Sequence, residues 1–89
     1  MIIEKTASAG SLESSDAMVT VGPNADGIKI SVTSPVERQF GGRMRATARE
    51  ILNTRGVTNA VVRIDDRGAL DCTLRARIET AVERGMTSR

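Results

Sequence analysis

Between Ile28 and Leu52 the spacing of apolar residues changes once, and that change constrains the fold more than any other feature of the chain. Ile28, Ile30 and Val32 alternate with Lys29, Ser31 and Thr33, the period-2 pattern of a strand in a sheet with one buried and one wet face. From Val36 the apolar positions shift to steps of three and four, through Phe40, Met44, Ala48, Ile51 and Leu52, which is a helical stripe turned toward a core. Ser34-Pro35-Val36-Glu37 marks the switch: Ser34 can cap, Pro35 suits the first helical position, and Glu37 completes a capping box. Gly56 ends this helix. Gly41 and Gly42 inside it imply either close packing or a bend.

The same reading extends to both sides. Ala17 to Val21 alternates and is broken by Gly22-Pro23-Asn24, so it reads as a strand joined to Ile28–Thr33 by a β-hairpin with Asn24 to Gly27 at its tip. Val57 to Asp65 is the most strand-like stretch, and Asp66-Arg67-Gly68 turns out of it. A second helix follows from about Ala69 to Arg84, with Leu70, Leu74, Ile78, Ala81 and Val82 inward and Gly85 as its stop. On its outer side Asp71, Arg75 and Glu79 are spaced to pair with one another. The expected fold class is α+β, in the order β-β-α-β-α, a small mainly antiparallel sheet with two helices packed on one face. Residues 1–16 are rich in Ser, Ala and Thr without a sustained period and read as a flexible arm and loop, leaving 17–89 as a single domain.

With 89 residues the chain has room for one modest core and little room for a deep cleft. It contains no histidine and a single cysteine, Cys72, so a Ser-His-Asp site, a Cys-His site or a structural zinc cannot be assembled within it. The balance of 13 basic and 11 acidic residues, and one Phe with no Trp or Tyr, argue against nucleic-acid binding. No apolar run approaches the length needed to span a bilayer, and no leading stretch has the pattern of an export signal, so a soluble, cytoplasmic protein away from the membrane is expected.

Four serines, Ser8, Ser11, Ser14 and Ser15, crowd the arm. Ordinary loop chemistry explains them, and none can be activated as a nucleophile from within the chain; an exposed loop hydroxyl can instead accept a group attached by another enzyme. Cys72 lies off the apolar stripe, on a line of small residues, and reads as a structural contact with the other helix or a partner. Arg38, Arg45 and Arg49 share the outer face of the first helix, either as a solvated stripe or as a docking surface for an acidic partner or for phosphates. Asp65, Asp66 and Asp71 lack the further ligands of a calcium loop and suit turns and helix starts.

Two segments taken together carry a resemblance. Ala9-Gly10-Ser11-Leu12-Glu13-Ser14-Ser15-Asp16 and Asp65-Asp66-Arg67-Gly68-Ala69-Leu70-Asp71-Cys72-Thr73-Leu74-Arg75-Ala76-Arg77-Ile78-Glu79 strongly resemble the citrate lyase acyl carrier (gamma) family, with Ser34 to Gly41 similar to its central helix start. The resemblance implies a non-catalytic carrier subunit of an enzyme complex that cleaves citrate to oxaloacetate and acetate. It also implies that Ser14 is the attachment point of 2'-(5''-phosphoribosyl)-3'-dephospho-coenzyme A, bound through a phosphodiester. Ser15 is the neighbouring alternative. The implied partners are the alpha (acyl-exchange) and beta (citryl cleavage) subunits, a prosthetic-group transferase and an acetylating ligase. The arm's thiol would carry acetyl and citryl thioesters between those subunits, so no thiol is needed from Cys72. The related carrier subunit of malonate decarboxylase is the nearest alternative, and an interaction module that carries nothing is the alternative from another class.

Overall fold

The computed structural model describes residues 2–86. Four strands and two helices follow one another along the chain: β1 (Ala7–Gly10), β2 (Ala17–Gly22), β3 (Ile28–Thr33), α1 (Glu37–Thr54), β4 (Ala60–Asp66) and α2 (Asp71–Met86). The fold is α+β with both helices on one face of a single sheet. Ala17, Val19 and Val21 of β2 and Ala60, Val62 and Ile64 of β4 are sealed beneath the helices, while Val61 and Arg63 face outward. The alternation in each strand thus sorts core from solvent as a period of two requires. α2 lies over β1 and β2, and α1 over β3. Ala48, Ile51 and Leu52 of α1 and Ile78, Ala81 and Val82 of α2 complete the core.

Strand order is β1-β2-β4-β3. The expected hairpin between β2 and β3 is therefore not formed: β4 lies between them, antiparallel to β2 and parallel to β3. A parallel pair needs a long crossover, and α1 supplies it between β3 and β4. The turn residues at Gly22 to Gly27 are real, but their loop arches over the start of β4. Gly27 donates its N–H to Asn59 Oδ1 at 2.7 Å, the Ala60 N–H donates to the Gly27 carbonyl at 3.0 Å, and Asn24 Nδ2 donates to the same carbonyl at 2.9 Å.

The segment expected as an arm belongs to the fold. Ala7–Gly10 pairs antiparallel with β2, and Ile3 and Ala9 are buried. The Glu4 and Lys5 N–H groups donate to the Gly85 carbonyl at 3.0 and 3.3 Å. Gly85 is accordingly not the stop of α2, which continues to Met86; it is buried where a Cβ would press on Val21, Ile3 and the Lys5 carbonyl.

Helix ends show where local signals held and where tertiary contacts displaced them. At the end of α1, the Gly56 N–H donates to the Asn53 carbonyl and the Val57 N–H to the Leu52 carbonyl, with Gly56 at φ +70. That pair of bonds is a Schellman motif, and buried Val57 and Leu52 supply its apolar contact. At the start of α1 the capping box is not formed. The Ser34 hydroxyl accepts the Val36 N–H and donates to Asp66, and Glu37 reaches Arg45 at 3.1 Å instead of turning back. That ion pair spans Gly41, whose missing side chain leaves room for it, while Gly42 faces open space. On α2, Arg75 pairs with Glu50 of α1 at 2.9 Å, linking the helices, instead of with its neighbours Asp71 and Glu79.

Two residues expected in the core are outside it. Phe40 is 45% exposed and Leu70, which precedes α2, is 69% exposed. Both fit the apolar stripe, yet both sit at the helix-start end of the molecule, beyond the last layer of the other elements.

Candidate functional site

The β1–β2 connection is a tight, stitched loop, and Ser14 stands at its tip. Gly10 enters the loop at φ +99, with the position of a Cβ overlapping the Ala17 carbonyl oxygen and pressing on Arg77, so only glycine fits there. The Ser11 N–H then donates to the Ala17 carbonyl at 3.2 Å. Glu13 to Asp16 forms a β-turn closed by the Asp16 N–H to the Glu13 carbonyl at 3.1 Å, and Ser15 holds φ +68. A positive φ confined to the third residue is the type II geometry, which makes Ser14 and Ser15 the two central residues of the turn, Ser14 second and Ser15 third. Ser14 is exposed.

This turn is fastened to the β4–α2 loop from two sides. The Ser15 N–H donates to the Arg67 carbonyl at 2.8 Å, and the Arg67 N–H returns a bond to the Asp16 carbonyl, also at 2.8 Å. Below them the Asp16 carboxylate gathers four donors. Arg77 of α2 approaches with Nε at 2.9 Å and a second guanidinium nitrogen at 3.1 Å, one to each oxygen, while the Ser11 hydroxyl and the Ala17 N–H donate at 2.7 Å each. The two-pronged geometry is the strong form of the arginine–carboxylate pair. First the Arg77 bonds, then Ser11 and the Ala17 N–H, hold the Asp16 carboxyl far below the usual carboxylate range. The same pair raises the Arg77 guanidinium further.

The four serines of the segment are thereby distinguished. Ser8 is an exposed residue of β1 paired with Thr20. Ser11 spends its hydroxyl on Asp16 and accepts the Glu13 N–H at 3.2 Å. Ser15 is the residue with positive φ, its N–H committed to Arg67. Ser14 and Ser15 together form the tip of the turn, and both are exposed with hydroxyls that bond no other described residue; Ser14 differs in having no positive φ and no backbone bond to the β4–α2 loop. Chemically, the arrangement presents the hydroxyls of Ser14 and Ser15 outward on a fixed platform, in a chain without histidine.

The remaining expected residues are dispersed. Arg38, Arg45 and Arg49 lie along α1, Arg45 paired with Glu37 and the other two exposed without an ion pair among the described residues. Arg49 stands eleven positions beyond Arg38, about 16 Å along the axis, so the row runs away from the Ser14 end. Cys72, expected to make a structural contact, is exposed on α2. Asp65 pairs with Arg67, whereas Asp66 is buried and accepts both the Ser34 hydroxyl at 2.8 Å and the Ala69 N–H at 2.9 Å, fixing the start of both helices. The Asp16–Arg77 clamp was not foreseen; its partners are 61 positions apart and no local pattern connects them.

A groove lies between the starts of α1 and α2, and its lining includes Asp66 and Gly68, the two neighbours of Arg67, to which the turn is bonded. Val36, Phe40, Met44, Ala69, Leu70 and Leu74 make it apolar, Arg43 and Asp71 stand at its edge, and its volume is about 320 Å³. No helix among the described residues is long and apolar enough to cross a membrane.

Comparison with known proteins places the chain in a family. Residues 4–85 match the acyl carrier family model described as the malonate decarboxylase delta subunit (MdcD). The citrate lyase acyl carrier protein of Halothermothrix orenii is 49% identical over 84 residues, covering 94% of this chain and 89% of that protein. Its counterpart from Streptococcus uberis is 54% identical over 84 residues, covering 94% and 83%. Among solved structures, a chain in a Pseudomonas malonate decarboxylase hetero-tetramer in complex with malonate has the same fold, with a TM-score of 0.79 over 94% of this chain and 87% of that one at 22% identity.

Proposed function

The chain belongs to the acyl carrier family that includes the citrate lyase acyl carrier proteins, and from that membership we propose that it is the carrier subunit of a citrate lyase, with Ser14 as the attachment point of its prosthetic arm. The observation that carries the proposal is the Ser14 turn: an exposed hydroxyl free of hydrogen bonds within the described residues, at the tip of a loop bonded to the β4–α2 loop and clamped by Asp16 and Arg77. The turn fits a phosphodiester-linked 2'-(5''-phosphoribosyl)-3'-dephospho-coenzyme A. Ser14 would hold the group, and Arg67, in the loop bonded to the turn and paired with Asp65 through Nε alone, would have its remaining guanidinium N–H groups to turn toward the phosphate. When bound, the arm supplies a terminal thiol able to carry acyl groups as thioesters.

The protein's own share of the work is presentation. An exposed turn is open to the transferase that installs the arm, and a stitched platform keeps the arm's root in one place relative to docking surfaces. The tether then makes delivery to the acyl-exchange and citryl cleavage subunits an intramolecular event, at effective concentrations of order mM. Identity near one half to citrate lyase carriers favours this complex over malonate decarboxylase. Reconstitution decides between them. The loaded chain should restore citrate cleavage to carrier-free citrate lyase subunits; restoration of malonate decarboxylation without citrate cleavage would overturn the assignment.

A further inference from the structure

We propose that the groove between the helix starts is the resting site for the adenine ring of the arm, with Phe40 as its stacking partner. The proposal rests on the attachment reading above and adds a ligand, a contact residue and a conformation to it. Phe40 is the only aromatic residue in the sequence, and it is half exposed instead of buried in the core. Leu70, across the groove, is more exposed still, and Met44 and Leu74 form the floor. Apolar side chains of this size left open in a small domain mark a surface that something covers.

Position selects the occupant. The Ser14 turn is bonded to Arg67, and Arg67 is three residues from Leu70, at most about 11 Å of chain. In the arm, a single phosphate and ribose separate the serine oxygen from the adenosine, so the purine is the first flat, weakly polar surface to reach the groove. Bases stack on exposed aromatic rings whatever their sequence context, since the contact uses the π-face alone. Arg43 at the rim offers a guanidinium to the diphosphate that follows the adenosine. The tether supplies the base at an effective concentration of order mM, so a weak stack suffices to populate the docked state. Docking the nucleotide part leaves the thiol-bearing end outside the groove, free to enter a partner.

The test uses full-length chain loaded by its transferase, with intact mass confirming the arm before any spectrum is taken; absence of the added mass is a failure of the attachment reading and is seen at that stage. In loaded protein, the adenine H2 and H8 protons should show nuclear Overhauser contacts to the Phe40 ring and Leu70 methyl groups. Their resonances should also lie upfield of those of free dephospho-coenzyme A. Phe40→Leu should abolish the upfield shift while the amide spectrum of the apo-protein stays folded, and Leu70→Ser provides a second variant with the same expectation of weakened contacts. Adenine resonances at their free positions in protein of the loaded mass would overturn the proposal, and so would contacts made by the pantetheine methyl groups in place of the adenine.

Discussion

Asp16 does more to shape the β1–β2 turn than either serine at its tip. Four donors converge on its carboxylate, and its proton is bound far less readily in the folded chain than at its ordinary value of 3.8 in the unfolded one. A depressed carboxyl contributes stability that is fully present above the unfolded value and lost as pH falls toward the folded one. Thermal stability should therefore hold through neutral and mildly acidic conditions and decline below about pH 4, and Asp16→Asn should make that acid limb shallower. Parallel melting curves for parent and variant from pH 2 to 7 would contradict the clamp. Gly10 is the second residue on which the loop depends. Gly10→Ala places a methyl group against the Ala17 carbonyl at φ +99 and should cost about 2–4 kcal/mol in urea denaturation. None of this geometry is legible in the sequence. The motif around Ser14 points to that serine through family resemblance, but composition offered four serines of equal standing, and only folding assigns the Ser11 hydroxyl to Asp16 and leaves those of Ser14 and Ser15 exposed at the tip.

Elements with a long period were legible, and the short ones were not. β2, β3, β4 and both helices follow from apolar spacing, because each buries one face against the same core. β1 escaped notice since Ala7-Ser8-Ala9-Gly10 has neither β-branched residues nor contrast between its faces. Its place in the sheet comes from pairing with β2 and from α2 above it. The hairpin expectation failed for a related reason. Turn residues report that the chain reverses, and the reversal between β2 and β3 is real, but they do not report whether a third strand enters the gap. Phe40 and Leu70 show the matching limit for helices: periodicity identifies the face, while burial requires a neighbour at that level. Where a local signal needs no distant partner, it held. Gly56 is the left-handed residue of the Schellman motif at the end of α1, so Gly56→Ala should lower stability by about 1–2 kcal/mol with the fold unchanged, measured by urea denaturation with circular dichroism as the control. A variant as stable as the parent would show that the motif adds nothing.

At the scale of the molecule, one end collects the features on which the proposed function rests. The Ser14 turn, the β3–α1 connection with its Ser34–Asp66 bond, the β4–α2 loop and the apolar groove meet there, while the core closes off the rest of the helical face. The arginine row on α1 leads away from that end and suits steering more than contact with the arm's root. Reversing Arg38 and Arg49 to glutamate should leave the melting temperature unchanged, since neither has an ion pair among the described residues, and should slow assembly with partner subunits most at low ionic strength. Unaltered activity of the assembled complex at low salt would remove these residues from docking. Arg45, already paired with Glu37, should matter less. The most direct test of the central claim is the intact mass of three chains, each expressed with the prosthetic-group transferase. The parent and Ser15→Ala should both gain the mass of the phosphoribosyl dephospho-coenzyme A arm, and Ser14→Ala should gain nothing. An arm on Ser14→Ala, or its absence from Ser15→Ala alone, would contradict the account.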